Sequence, residues 1–333
     1  VRRSVGTGLG LESQPATLFP SAAAVAATWN PELVERMAAA IGAEARSQGV
    51  TLLLAPGLNL KRHPLGGRNF EYYSEDPLLS GRIAAAFVRG VQSQGVGATL
   101  KHFAVNNQET RRMTIDARVD ERPLRELYLR GFEIAVREAS PQAVMSAYNK
   151  VNGEWCGDSP TLLTDILRDE WGFDGFVMSD FVFGLRDPVG SVAAGLDLEM
   201  PFAQQRAEVL PRALAKGRLD RRDAERSAHR LIGAQLRWAA TVEADAPASS
   251  VVASGAHRAL ARRAASQSMV LLRNEPVDGR SVLPLDVGAT GSVRAVAIVG
   301  ALAAEANLGD GGSSAVHPPS TVSPVDGLRA ALR

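Results

Sequence analysis

The chain has 333 residues, 45% hydrophobic and 22% charged, a composition that supports a sizeable core and excludes a disordered chain. Lys and Arg total 37 against 36 Asp and Glu, a net charge of +1 with the signs interspersed, so the basic excess of a nucleic-acid-binding protein is missing. A single cysteine, Cys156, excludes a disulfide framework or a multi-cysteine metal site and favours the cytoplasm, and no apolar run approaches the ~18–20 residues that span a bilayer.

The first helix is marked by Asn30 as N-cap, Pro31 at the first helical position, and Leu33, Met37 and Ile41 at helical spacing, with Gly49 as its stop. A strand at 51–59 and a long loop follow. Asp76-Pro77 opens a helix to about Gln94, and a strand is expected at 98–106. Next come a helix over 121–138, a strand at 142–149, a helix from Ser159-Pro160 to Trp171, and strands at 173–181 and 196–201. Helices near 204–216 and 221–238 close the series.

Short strands separated by helices predict βα units and a parallel sheet. Each strand is apolar at its start and polar at its C-terminal end, where Asn59, Lys101-His102, Tyr148-Asn149, Ser179-Asp180 and Glu199 fall. That pattern favours an α/β fold of the (β/α)8 barrel type, whose active sites sit at this rim, over a doubly wound sheet. Residues 240–256, small, polar and aperiodic, read as a linker after a barrel over 1–239. A second, partial α/β domain over 257–333 is expected, with 257–275 as a helix running into a strand and 292–300 as a buried strand. Both ends read as interior to a longer chain, so a fragment is expected.

Asp180 is the sharpest candidate for chemistry, an acid at the end of an apolar strand; the structural alternative is a helix cap. Lys101 is one of only four lysines and, with His102, ends another strand, where it could form a Schiff base or bind a polyhydroxylated ligand. Arg68 and Arg112 alone would pass for surface arginines, and Tyr148 for a core tyrosine with one satisfied hydroxyl. Asp76 reads as a helix cap and Asp169-Glu170 as a solvated face. GDGGSS at 309–314 lacks the Lys-Ser/Thr ending of a phosphate loop. No histidine spacing points to a metal, and no cofactor is expected.

The strings APGLNLKRHPLGGRNFEYYSEDP, GVGATLKHFAVNNQETRR, VMSAYNKVNGE, LLTDILRDEWGFDGFVMSDF and AGLDLEMP, in this order, resemble glycoside hydrolase family 3, the β-glucosidase family. Beyond the linker, SMVLLRNE, VLPL and GDGGSSAVHPP resemble the start of that family's α/β-sandwich domain. The resemblance implies a retaining exo-β-glycosidase acting on terminal glucosyl residues of an oligosaccharide or β-glucoside. It makes Asp180 the nucleophile, and Arg68, Lys101, His102, Arg112 and Tyr148 ligands of the terminal sugar, with Phe181 at the sugar-facing platform.

This sequence departs from the family pattern in several places. Phe181 stands where a tryptophan is usual. The family's sugar-binding aspartate would precede Val1, on the barrel's first strand, and the acid/base glutamate of the β-glucosidase branch would lie beyond Arg333. The chain alone is therefore expected to hydrolyse poorly. AVNNQETRR lacks the histidine of the N-acetylglucosaminidase branch. The rival readings are a Schiff-base lyase or aldolase using Lys101 and a non-catalytic carbohydrate-binding remnant. No membrane or nucleic-acid partner is expected, and homo-oligomer formation stays open.

Overall fold

The computed structural model describes residues 3–4, 12–243, 245–287, 291–293, 295–308 and 315–332. The GDGGSS string lies outside them. The first expected helix forms as Pro31–Ser47, with the Asn30 side chain accepting from the Leu33 N–H at 3.0 Å. The next, Pro77–Gln92, starts where Asp76 accepts from the N–H groups of Leu78 (2.7 Å) and Leu79 (3.0 Å). Asp76 is a helix cap.

These two helices pack closely because the residues between them are small. A Cβ at Gly90 would lie 2.7 Å from the Ala38 Cβ and would also strike the Glu35 carbonyl oxygen. The expected 121–138 helix is interrupted: Leu124–Tyr128 is wound more loosely, with the Leu129 N–H reaching the Leu124 carbonyl, before Arg130–Ala139 resumes α-helical pairing. Thr161–Glu170 is wound in the same loose way.

The sheet holds Leu52–Leu53, Gly97–Phe103, Ala143–Ser146 and Phe176–Met178, in chain order and all parallel. A parallel bridge from Met178 to Leu198 adds the 196–201 segment at one edge. Ala98, Leu100, Val144 and Val177 join the core under the helices, whereas Ala143, Met145, Phe176 and Met178 form a second cluster on the other face, with Ala234. A sheet covered on both faces carries near-continuous apolar strands, and these do. Beside it, Lys150–Val151 and Glu154–Trp155 form a hairpin whose turn uses positive φ at Asn152 (51°) and Gly153 (100°).

The expected (β/α)8 barrel, missing its first strand, is not completed by the described residues. Their sheet is open, with edges at Leu52–Leu53 and at the Leu198 bridge, whereas closure needs about eight strands sharing hydrogen bonds around a ring. What stands is an α/β fold with a parallel sheet.

The segment read as a linker is anchored. The Ala253 N–H donates to buried Glu44 at 3.2 Å, and His257 Nδ1 contacts the same carboxylate at 2.6 Å. The Gly255–Gln267 helix forms as expected. The strands expected after it and at 292–300 do not: no described residue there is in a strand, and Leu272 and Val299 are 90% and 95% exposed. Their apolar sequences favour strands, but among the described residues no neighbouring strand takes up their backbone groups.

Candidate active site

The site forms where the parallel strands end. Asp180 follows Phe176–Met178 by two residues and is buried. Its Oδ1 accepts the Phe181 N–H at 2.7 Å. Its Oδ2 is buried without a hydrogen-bond partner, and the closest imidazole nitrogen, His102 Nε2, stands 3.7 Å away, beyond hydrogen-bonding reach. Burial, the largest influence, pushes the Asp180 carboxyl above its ordinary range; the Phe181 N–H and the charges of Arg68 and Lys101 pull the other way without cancelling it. The cations therefore do not dominate, contrary to what their number suggests, because desolvation of a carboxylate at this depth is the stronger effect.

Lys101 and His102 come from the Gly97–Phe103 strand. Lys101 Nζ lies 3.3 Å from Glu71 Oε2, and Glu71 also pairs with Arg68. Burial raises the Glu71 carboxyl, but Lys101 and Arg68 outweigh it and hold the group below the ordinary range. Glu71 is thus an ionised bridge presenting two cations beside Asp180. His102, 1% exposed, is driven well below the ordinary histidine range by burial first and then by Arg68, Lys101 and Arg112. It is neutral at pH 7.

Arg112 is held by Glu109 at 2.6 Å and lies over the Tyr148 ring, 5.1 Å from its centroid. The Tyr148 hydroxyl donates to the Phe181 carbonyl at 2.7 Å. Phe181 contributes through its backbone on both sides, while its ring packs against the cluster of Met145 and Met178. Arg68, Lys101, His102, Arg112, Tyr148, Asp180 and Phe181 therefore come together from five separate stretches of chain. Glu199, grouped with them by its strand-end position, turns away: it accepts from the N–H groups of Gln205 (3.0 Å) and Arg206 (3.1 Å) at the start of the Arg206–Ala215 helix.

Sequence reasoning missed Glu71 and Tyr72. The signal was present as a lone carboxylate among Phe70, Tyr72 and Tyr73, in a loop that looked like a connection. Tyr72 is buried, with its hydroxyl 3.1 Å from His102 Nδ1. Among the described residues no group of three or more His, Cys, Asp or Glu could hold a metal ion.

Residues 4–234 match the family model for the glycosyl hydrolase family 3 N terminal domain. The chain belongs to glycosyl hydrolase family 3. Among its relatives, thermostable β-glucosidase B of Acetivibrio thermocellus is 47% identical over 307 residues, 92% of this chain and 39% of that protein. An exo-α-(1→6)-L-arabinopyranosidase of Bifidobacterium longum is 40% identical over 98% of this chain and 43% of its own length. The solved structure of β-glucosidase 3B from Thermotoga neapolitana in complex with α-D-glucose superposes with a TM-score of 0.82 at 40% identity, covering 94% of this chain and 43% of that one. The chain thus spans less than half the length of these relatives.

Proposed function

We propose that this chain carries the nucleophile and sugar-binding half of a retaining β-glycosidase site, acting on terminal β-D-glucosyl residues. The observation that carries the reading is the Asp180 carboxylate, one oxygen fixed by the Phe181 N–H and the other buried and unpartnered among donors. Asp180 Oδ2 attacks the anomeric carbon, forming an ester bond as the glycosidic C–O bond breaks; water then cleaves the ester and restores the carboxylate. Arg68, Lys101, His102, Arg112 and Tyr148 bind the sugar hydroxyls. Positive charge developing on the sugar ring favours the ionised carboxylate over the burial that opposes it.

The leaving-group oxygen also needs a proton. Glu71, held ionised by two cations, is unsuited to give it, so the acid is assigned outside the residues gathered here. We assign the open parallel sheet to an arc of a (β/α)8 barrel spanning 1–239, with 240–256 as the connection and 257–333 as the start of an α/β-sandwich domain. The family match ending at residue 234 supports that boundary.

The test is intact-mass labelling with 2-deoxy-2-fluoro-glucosyl fluoride, whose good leaving group needs no acid, followed by peptide mapping. A label on Asp180, absent in D180N, is expected. A label elsewhere, or none either here or in a chain of the relatives' full length, refutes the assignment. Borohydride trapping at Lys101 in the presence of a carbonyl substrate would instead favour the lyase reading, which the geometry argues against, because the Lys101 nitrogen is engaged by the Glu71 carboxylate.

A further inference from the structure

The hydrogen bonds around His102 determine which of its nitrogens carries the proton. The Asn106 N–H donates to Asn59 Oδ1 at 3.2 Å, which orients the Asn59 amide with its NH2 toward the site. That NH2 donates to the His102 carbonyl at 2.9 Å and to the Tyr72 hydroxyl oxygen at 3.3 Å. Asn106 Nδ2 lies 3.5 Å from the same oxygen. The Tyr72 oxygen is thus an acceptor on one side, and its own proton is directed to His102 Nδ1, 3.1 Å away. A neutral imidazole that accepts at Nδ1 carries its proton at Nε2, the nitrogen that faces Asp180 Oδ2.

We propose that Tyr72 is a positioning residue that locks His102 in the Nε2–H form, so that an N–H donor rather than a lone pair faces the free oxygen of Asp180. The proposal rests on the glycosidase reading for its consequence and on geometry for its substance. In the other tautomer the Nε2 lone pair would oppose the carboxylate lone pairs, repelling the attacking oxygen and removing a donor from any sugar hydroxyl between them. Tyr72 itself acts only through His102.

The experiment is nitrogen-15 NMR of protein labelled at the histidine imidazoles, five in all, with the His102 signals assigned by their loss in H102Q. In the wild type the proton is expected on Nε2, with Nδ1 bare and hydrogen-bonded. In Y72F the Nδ1 shift should change and the Nδ1–H form should become populated, while the other four histidines report that the fold is intact. A proton on Nδ1 in the wild type overturns the proposal, and that measurement needs no variant to fold. An unchanged tautomer in folded Y72F overturns it equally.

As a second readout, Asp180 labelling by the fluoro-sugar should slow by about two- to tenfold in Y72F, the span of one hydrogen bond; an unchanged rate overturns the link to the nucleophile. If Asp180 takes no label either here or in a chain of the relatives' full length, the glycosidase reading fails, and the NMR result still decides the role of Tyr72.

Discussion

Two regions of the chain have similarly apolar sequences and opposite fates. VMSAY and FVMSD, around the Ala143–Ser146 and Phe176–Met178 strands, are buried on both faces of a parallel sheet. SMVLLRNE, at 268–275, has the same character, yet Met269, Val270, Leu271 and Leu272 are all exposed and in no strand. The difference lies in the neighbours. Ala143 has Thr99 on one side and Phe176 on the other, whereas no described strand lies beside Leu272. An apolar run becomes a strand only when other strands take its backbone groups, because a strand satisfies none of its own.

The sharpest way to break this contrast is at Glu71, which ties the loop after the first strand to the second strand through Lys101. E71Q removes the buried carboxylate that two half-buried cations share and should cost about 3–5 kcal/mol, the range for breaking a buried ion pair. Urea unfolding measures it, and a loss within error would show the bridge to be dispensable. Next in size is G90A: its methyl meets the Glu35 carbonyl and Ala38, and overpacking of this kind costs about 1–3 kcal/mol. A neutral G90A would mean that the two helices can separate freely.

A smaller effect separates the regions by pH. Burial is the main cause pushing the Asp158 carboxyl up to about 6; the Asp187 N–H and the charges of Arg206 and Arg186 oppose it, while the Asp187 carboxylate adds to it. A folded value above the unfolded one means that the native state binds more protons between about pH 4 and 6, so stability falls as pH rises through that window and levels off above it. D158N should remove that decline, read as the difference between the unfolding midpoints of variant and wild type across pH 4–7. A constant difference would refute it. Smallest of all, L272S in the exposed run should change stability by less than about 0.5 kcal/mol; a larger loss would mean that this segment is packed after all.

Local chemistry made much of the molecule legible in advance. Asn30 and Asp76 cap the helices they announce, because a side-chain oxygen and the N–H groups two or three residues on need nothing distant. The alternation of helices with short apolar runs specifies a parallel α/β sheet, and the polar strand ends mark the rim where Lys101, His102, Tyr148 and Asp180 meet. The order of strings along the chain identified the family.

The rest required residues far apart in sequence to be seen together. Glu71 and Tyr72 sit in a loop with no periodicity to single them out, and they act only because Lys101 and His102 stand about 30 residues on. Glu199 obeyed the same strand-end pattern as Asp180, and the position of a helix N-terminus made it a cap. The charge state around Asp180 likewise depended on depth: counting cations predicts a lowered carboxyl, and burial raises it. Sequence determines which groups a chain can offer. Desolvation, hydrogen-bond direction and the presence of a neighbouring strand are properties of the assembled fold, and they decide which of those groups is used.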